Sequence, residues 1–208
     1  MVLVEGKLKR ALSIIDMFDF IEVRLDLCGF KGSQIREVFL KDKEMIATFR
    51  EDSNKATAQK MDQLKIAIEL GVKYVDLELD LDSEQKLDLM IHARGYGAKV
   101  ILSYHNYDKT PSLKELKDII VIARGQGANI VKIVTKVNFR DDCLTLFNLY
   151  HGEENLIAFG MGADAKFTRL TSLFLGAPFT YIHYLNHNKT VEGQLGYKEF
   201  DVMMKNLC

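Results

Sequence analysis

Short apolar runs recur along the chain, separated by amphipathic stretches of helical period. The runs are Val2 to Val4, Phe20 to Leu25, Met45 to Phe49, Tyr74 to Leu79, Val100 to Tyr104, Ile130 to Thr135, Leu156 to Phe159 and Phe179 to Tyr184. Each is short and nearly all apolar, as a strand buried on both faces of a parallel sheet must be. Between them, Ala56 to Leu70 places Met61, Leu64 and Ile68 on one helical face, and Glu84 to Arg94 and Leu113 to Arg124 read the same way. Gly71, Gly97 and Gly127 each stand just before a strand, where a helix-ending C′ glycine is expected. Ser112 with Glu115 fits a capping box; Thr110 as N-cap with Pro111 at the first helical position is an equal alternative. Strand and helix alternating about eight times predicts an α/β fold, a (β/α)8 TIM barrel forming a single domain over residues 1–208. A doubly wound open sheet is the structural rival, but no GxGxxG follows the first strand.

Composition narrows the class. Apolar residues make up 48% of the 208, enough for a core without disulfides or metal. With 28 basic against 29 acidic residues there is no basic field to hold nucleic acid. Cys28, Cys143 and Cys208 are scattered, without CxxC or His spacing for zinc, which predicts no metal and a reducing, cytoplasmic setting. The first residues lack the basic n-region of a signal peptide, and no apolar run approaches the ~20 residues that span a bilayer. No membrane partner is expected.

Against this apolar background the polar exceptions stand out. Glu22 and Arg24 lie toward the end of the second run and Arg50 just after the third. Glu78 is near the end of the fourth, His105 follows the fifth, and Lys132 lies inside the sixth. Arg169, Thr190 and Gln194 come in the last two units. In a barrel, strand ends converge on one rim, where active sites sit. Lys132, flanked by Ile and Val, is either a strand-edge lysine paired with an acid or a desolvated amine. Burial would lower the pKa of such an amine and supply an imine-forming nucleophile. His105 is either a loop histidine or a general acid/base at a strand end. Glu78, one strand earlier, could fix its tautomer. The arginines are either structural ion pairs or forks for an anionic, polyhydroxylated ligand. His92 reads as an exposed helix residue, His151 as a loop residue, and His183 and His187 as rim or structural groups.

In order along nearly the whole chain, these residues resemble the type I 3-dehydroquinate dehydratases. Ile21-Glu-Val-Arg-Leu-Asp26, Ala47-Thr-Phe-Arg50 and Tyr74-Val-Asp-Leu-Glu-Leu79 look like the family's segments. So do Ser103-Tyr-His-Asn-Tyr-Asp-Lys-Thr-Pro111, Gly127-Ala-Asn-Ile-Val-Lys-Ile133, Met161-Gly162 with Thr168-Arg169, and Glu192-Gly-Gln194. The resemblance implies dehydration of 3-dehydroquinate to 3-dehydroshikimate through an imine on Lys132, with His105 as acid/base and Glu78 orienting it. It implies that Arg169, Thr190 and Gln194 hold the substrate carboxylate and close over it, and that Glu22, Arg24 and Arg50 bind ring hydroxyls. No cofactor is implied, and a homodimer is common in the family.

Departures accompany the match. Glu51-Asp-Ser-Asn54 stands where the family has glycines, Asn129 replaces an aspartate, Thr168 and Thr190 replace serines, and Glu192 replaces a proline. The chain begins at its first strand, so the N-terminal hairpin of many relatives is not expected in it, and none of its segments matches the shikimate dehydrogenase to which the enzyme is fused in some lineages. A class I aldolase shares the imine lysine on a barrel strand, and a non-catalytic barrel binding a quinate-like acid is the alternative from outside enzymes. The His105 segment and the Gly-Gln loop argue against the aldolase; intact Lys132, His105 and Glu78 argue against the binding protein.

Overall fold

The computed structural model describes residues 2–4, 6–50, 57–184 and 194–207. The chain divides into two compact units, residues 2–102 and residues 103–208.

The first unit runs β1 (Val2–Val4), α1 (Leu8–Ile15), β2 (Phe20–Arg24), α2 (Leu25–Cys28), α3 (Gly32–Phe39), β3 (Glu44–Thr48), α4 (Ala58–Glu69), β4 (Tyr74–Glu78) and α5 (Ser83–Gly95), then enters β5 (Lys99–Asn106). β1 to β4 pair side by side, all parallel, with Glu22 opposite Ile46, Arg24 opposite Thr48, and Thr48 opposite Asp76. Because side chains alternate along a strand, this register sorts the sheet into two faces. Ile21, Val23, Met45, Ala47, Val75 and Leu77 form a wholly apolar, buried face. Helices α1, α3, α4 and α5 bury stripes such as Ile14, Ile15, Ile35, Leu64, Ile68 and Leu89. Burying each of these side chains is worth about 1.5–3 kcal/mol, and this layer holds the unit together. The other sheet face carries Glu22, Arg24, Thr48, Asp76 and Glu78. Apolar packing thus fixes a backbone whose opposite face is polar.

The second unit contains the end of β5, then α6 (Leu113–Gly125), β6 (Ile130–Lys136), α7 (Arg140–Asn148), β7 (Leu156–Met161), a 3-10 turn, α8 (Lys166–Phe174), β8 (Ile182–His183), β9 (Leu195–Gly196) and α9 (Tyr197–Leu207). β6 and β7 are parallel, with Lys132 opposite Ile157. The carbonyls of Asn155, just before β7, and of Met161 accept from the N–H groups of Val131 and Val137, so the backbone of Ala158 and Gly160 points the other way. Those groups are satisfied by side chains. Tyr150 Oη donates to the Ala158 carbonyl (2.9 Å) and accepts from its N–H (2.7 Å). Thr168 Oγ1 accepts from Gly160 N–H (2.9 Å) and donates to Ala165 O (2.6 Å). A Cβ at Gly160 would come within 2.4 Å of Val137 Cγ2 and 2.8 Å of Ala165 Cβ, so only glycine fits.

The fold is α/β with parallel strands, as the pattern predicts. Gly97 and Gly127 do end α5 and α6 with positive φ. There the N–H of Ala98 bonds to Ala93 O and that of Ala128 to Ala123 O, the six-residue closure of a Schellman motif. At α6 the capping box wins: Ser112 N–H donates to Glu115 Oε2 (2.8 Å) and Ser112 Oγ accepts from Glu115 N–H (3.3 Å).

Three expectations need correction. The eighth strand contracts from Phe179–Tyr184 to Ile182–His183, the two residues that pair with Leu195–Gly196. The buried face of α4 is Lys60, Gln63, Leu64, Ala67 and Ile68; Met61 is only half-buried. Its two polar members are buried because each has a partner: Gln63 Nε2 donates to Phe30 O (2.9 Å), and Lys60 reaches Glu78. His92 is half-buried, with its ring 5.0 Å from that of Tyr96 and Nε2 3.3 Å from Glu69.

Candidate active site

In the first unit the polar sheet face is a network of buried ions. Glu22, 3% exposed in the middle of β2, accepts from Thr48 Oγ1 at 2.9 Å. Arg24, the last residue of β2, clamps Asp26 through Nε (2.9 Å) and Nη2 (2.6 Å). Arg50, two residues past β3, places Nη2 2.9 Å from the fully buried Asp76 and Nη1 3.5 Å from Glu78. Glu78 ends β4, and its second oxygen lies 3.0 Å from Lys60 Nζ. The residue after it is held as well: Lys86 Nζ donates to Leu79 O at 2.5 Å, and burial pushes that ammonium below its ordinary pKa.

Burial works against the Arg50 guanidinium, but the carboxylates of Asp76, Glu78 and Glu22 outweigh it and hold Arg50 firmly charged. At Arg24 burial likewise opposes the charge, and the Asp26 hydrogen bond with the nearby Glu22 more than offsets it. The face is therefore a set of fixed charges. It suits recognition of hydroxyls, which either donate to a carboxylate or accept from a guanidinium.

In the second unit His105 is the next-to-last residue of β5, within the strand rather than after it, and half-buried. Its ring stacks on Tyr107 (centroids 6.1 Å apart, 13° between planes). The loop that follows is tightly built. Asn106 Oδ1 accepts from the N–H groups of Asp108 (3.1 Å) and Lys109 (2.9 Å). Thr110 Oγ1 lies 2.8 Å from Thr135 Oγ1 and donates to Lys136 O (2.9 Å). The threonine of the Ser103–Pro111 segment thus ties the His105 loop to the end of β6, the strand of Lys132.

Lys132 is 5% exposed. It does not snorkel to the surface: Nζ sits 4.0 Å from the centre of the Tyr181 ring. Tyr181 is itself packed by Phe159 (5.9 Å) and Phe179 (5.8 Å). Arg169 is on the first turn of α8, not at a strand end. It is 3% exposed, with its guanidinium carbon 4.0 Å from the centre of the Phe159 ring. Gln194, just before β9, is 4% exposed. Phe159 and Tyr181 therefore form an aromatic floor on which Lys132 and Arg169 both lie.

Thr190 and Glu192 lie outside the described residues, as do Glu51 to Asn54 and His187. His183 is buried, Cys143 is buried with its thiol pushed up by burial, and His151 is exposed. No group of three potential metal ligands occurs among the described residues, and no described helix is long and apolar enough to cross a membrane. Asp76 and Lys60 are the residues that sequence reasoning missed. Asp76 shares a strand face with Glu78 two residues on, which was a usable signal. Lys60, in an amphipathic helix, gave none.

The profile of the type I 3-dehydroquinase family matches residues 4–206. The 3-dehydroquinate dehydratase of Archaeoglobus fulgidus is 32% identical over 178 residues, covering 83% of this chain and 82% of that protein. That of Thermococcus onnurineus is 35% identical over 169 residues, covering 78% and 76%. The crystal structure of the Clostridium difficile type I enzyme with covalently modified comenic acid superposes with a TM-score of 0.84 at 23% identity, covering 99% of this chain and 90% of that one. A match from residue 4 to residue 206, with these relatives, means that the chain belongs to the type I 3-dehydroquinase family.

Proposed function

We propose that the chain dehydrates 3-dehydroquinate to 3-dehydroshikimate by imine catalysis on Lys132. The activity is that of its family, a hydro-lyase of the shikimate pathway. The observation that carries the mechanism is the lysine itself: a 5% exposed side chain in an apolar strand, with its amine against an aromatic ring.

In this reading the neutral Lys132 amine attacks the C3 ketone, and water leaves to give an iminium. His105 takes a proton from C2, and the C–H electrons flow into the iminium to form an enamine. The enamine then expels the C1 hydroxyl, which leaves as water with the proton from His105. Hydrolysis of the product imine frees Lys132. Glu78 orients His105. Arg169 pairs with the substrate carboxylate, and Gln194 and Thr190 close over it. Glu22, Arg24 and Arg50 meet the ring hydroxyls. Both arginines already hold carboxylates, Arg24 that of Asp26 and Arg50 that of Asp76, so they would meet the hydroxyls from fixed positions. The imine provides the electron sink, so the scheme needs no metal or diffusible cofactor.

The same reading takes residues 1–208 as one (β/α)8 barrel domain, acting in the cytoplasm as a homodimer. The superposition on the Clostridium difficile enzyme supports the barrel. Borohydride added with 3-dehydroquinate, followed by peptide mass mapping, tests the chemistry. A reduced adduct on Lys132 is expected; a folded protein with no lysine adduct would sink the imine mechanism.

A further inference from the structure

Lys60 has no place in the mechanism above, yet it is among the largest fully buried side chains, at 1% exposure. Its position is costly. It sits in the first turn of α4, with its N–H capped by Thr57 Oγ1 (3.2 Å), where the helix dipole opposes a cation. Burial of an ammonium adds a desolvation penalty unless a counter-charge is close. The counter-charge is Glu78, whose Oε2 lies 3.0 Å from Lys60 Nζ. The other Glu78 oxygen faces Arg50 Nη1 at 3.5 Å, and Arg50 is anchored in turn by Asp76 at 2.9 Å. Glu78 is thus held between two cations from different elements, one from α4 and one from the segment after β3. A surface-facing lysine in that turn would have satisfied the helix at lower cost. What the buried one adds is a Glu78 carboxylate held in place from both sides.

We infer that Lys60 is a positioning residue for the dehydration: it holds the Glu78 carboxylate in one rotamer, so that Glu78 can orient the acid/base His105. The inference rests on the role given to Glu78 above. It separates from a packing role because Lys60 acts through Glu78 alone, whereas packing would act whatever residue 78 is.

The test is a double-mutant cycle on the full chain. Lys60→Met keeps an unbranched side chain without charge, Lys60→Arg restores the charge, and Glu78→Gln removes the carboxylate. Lys60→Met is expected to lower kcat ~10- to 10²-fold through misplacement of the acid/base, with KM changed less than about twofold. Lys60→Arg should recover most of that loss, and borohydride trapping on Lys132 should persist in all three. In the Glu78→Gln background, Lys60→Met should cost little more, because its partner is already gone. Wild-type kcat in Lys60→Met, or losses that multiply in the double mutant, overturns the inference. If Glu78→Gln itself leaves kcat unchanged, the role assigned to Glu78 fails, and the Lys60 inference with it. A Lys60→Met protein that does not fold moves the decision to Lys60→Gln, read by the same cycle.

Discussion

Lys132 Nζ lies 4.0 Å from the centre of the Tyr181 ring, with 5% of the residue exposed. Two opposing effects meet there. Burial disfavours the ammonium, and the aromatic face attracts it. In the proposed mechanism an incoming ketone would meet an amine already directed and largely stripped of water, which would leave little ordering to the reaction. Lys132→Ala should abolish turnover, while circular dichroism and thermal unfolding show a folded protein. Normal turnover in that variant would remove imine catalysis from the account.

In the proposed mechanism His105 carries a separable part of the chemistry. On that reading the amine still condenses with the ketone when His105 is gone, since that step is assigned to Lys132. Proton removal from C2 and protonation of the departing hydroxyl lose their catalyst, a loss of ~10²- to 10⁴-fold in kcat. His105→Ala should therefore still yield the borohydride adduct while turning over slowly. An unchanged steady-state rate in the spectrophotometric assay of the enone product would end that assignment.

How far the sequence reveals this depends on what each residue answers to. Strands such as Ile130–Lys136 are legible because burial on both faces demands an apolar run, and Lys132 is conspicuous as an interruption. Gly97 and Gly127 are legible because a left-handed helix end favours glycine. Lys60 and Gln63 are not legible, because a polar residue joins a buried face only when a specific partner exists. Those partners, Glu78 and Phe30 O, are 18 and 33 residues away in sequence. The contraction of β8 is hidden for a like reason: where a strand begins and ends depends on which residues find a pairing partner, here Ile182 and His183 against β9. Arg169 reads as a strand-end group from its spacing, yet it stands on a helix, where stacking on Phe159 fixes it.

The Arg50–Asp76 pair should behave as a buried structural pair, whatever part it has in the proposed site. Asp76 has no exposed side-chain surface, and the Arg50 side chain is 14% exposed. Removing the acid takes from a desolvated guanidinium its 2.9 Å counter-charge. Asp76→Ala should cost about 3 kcal/mol in urea unfolding, the lower end for breaking a buried pair. A cost below about 0.5 kcal/mol, typical of a surface substitution, would show that Arg50 needs no anchor.

Tyr150 gives a pH signature that lies outside the chemistry of the site. Burial pushes its phenol up to about 12, while the hydrogen bond with Ala158 pulls the other way. In the unfolded chain the phenol titrates near its ordinary value of about 10. Below that value both states hold the proton, and the stabilising contribution is fully present. As pH rises from about 10 to about 12, the unfolded chain releases its proton while the folded protein keeps it. By linkage, stability falls through that window, by on the order of 2 kcal/mol, and the contribution is gone above it. At neutral pH, Tyr150→Phe removes both bonds to Ala158 and leaves a buried N–H on β7 without its partner, a cost of about 1–3 kcal/mol. The stability difference between wild type and Tyr150→Phe should therefore be largest near neutral pH and shrink across the alkaline window. Urea unfolding of both proteins in parallel cancels the alkaline effects they share. A difference that stays constant from about pH 9 to about pH 12 would mean that the phenol is not held as these bonds require.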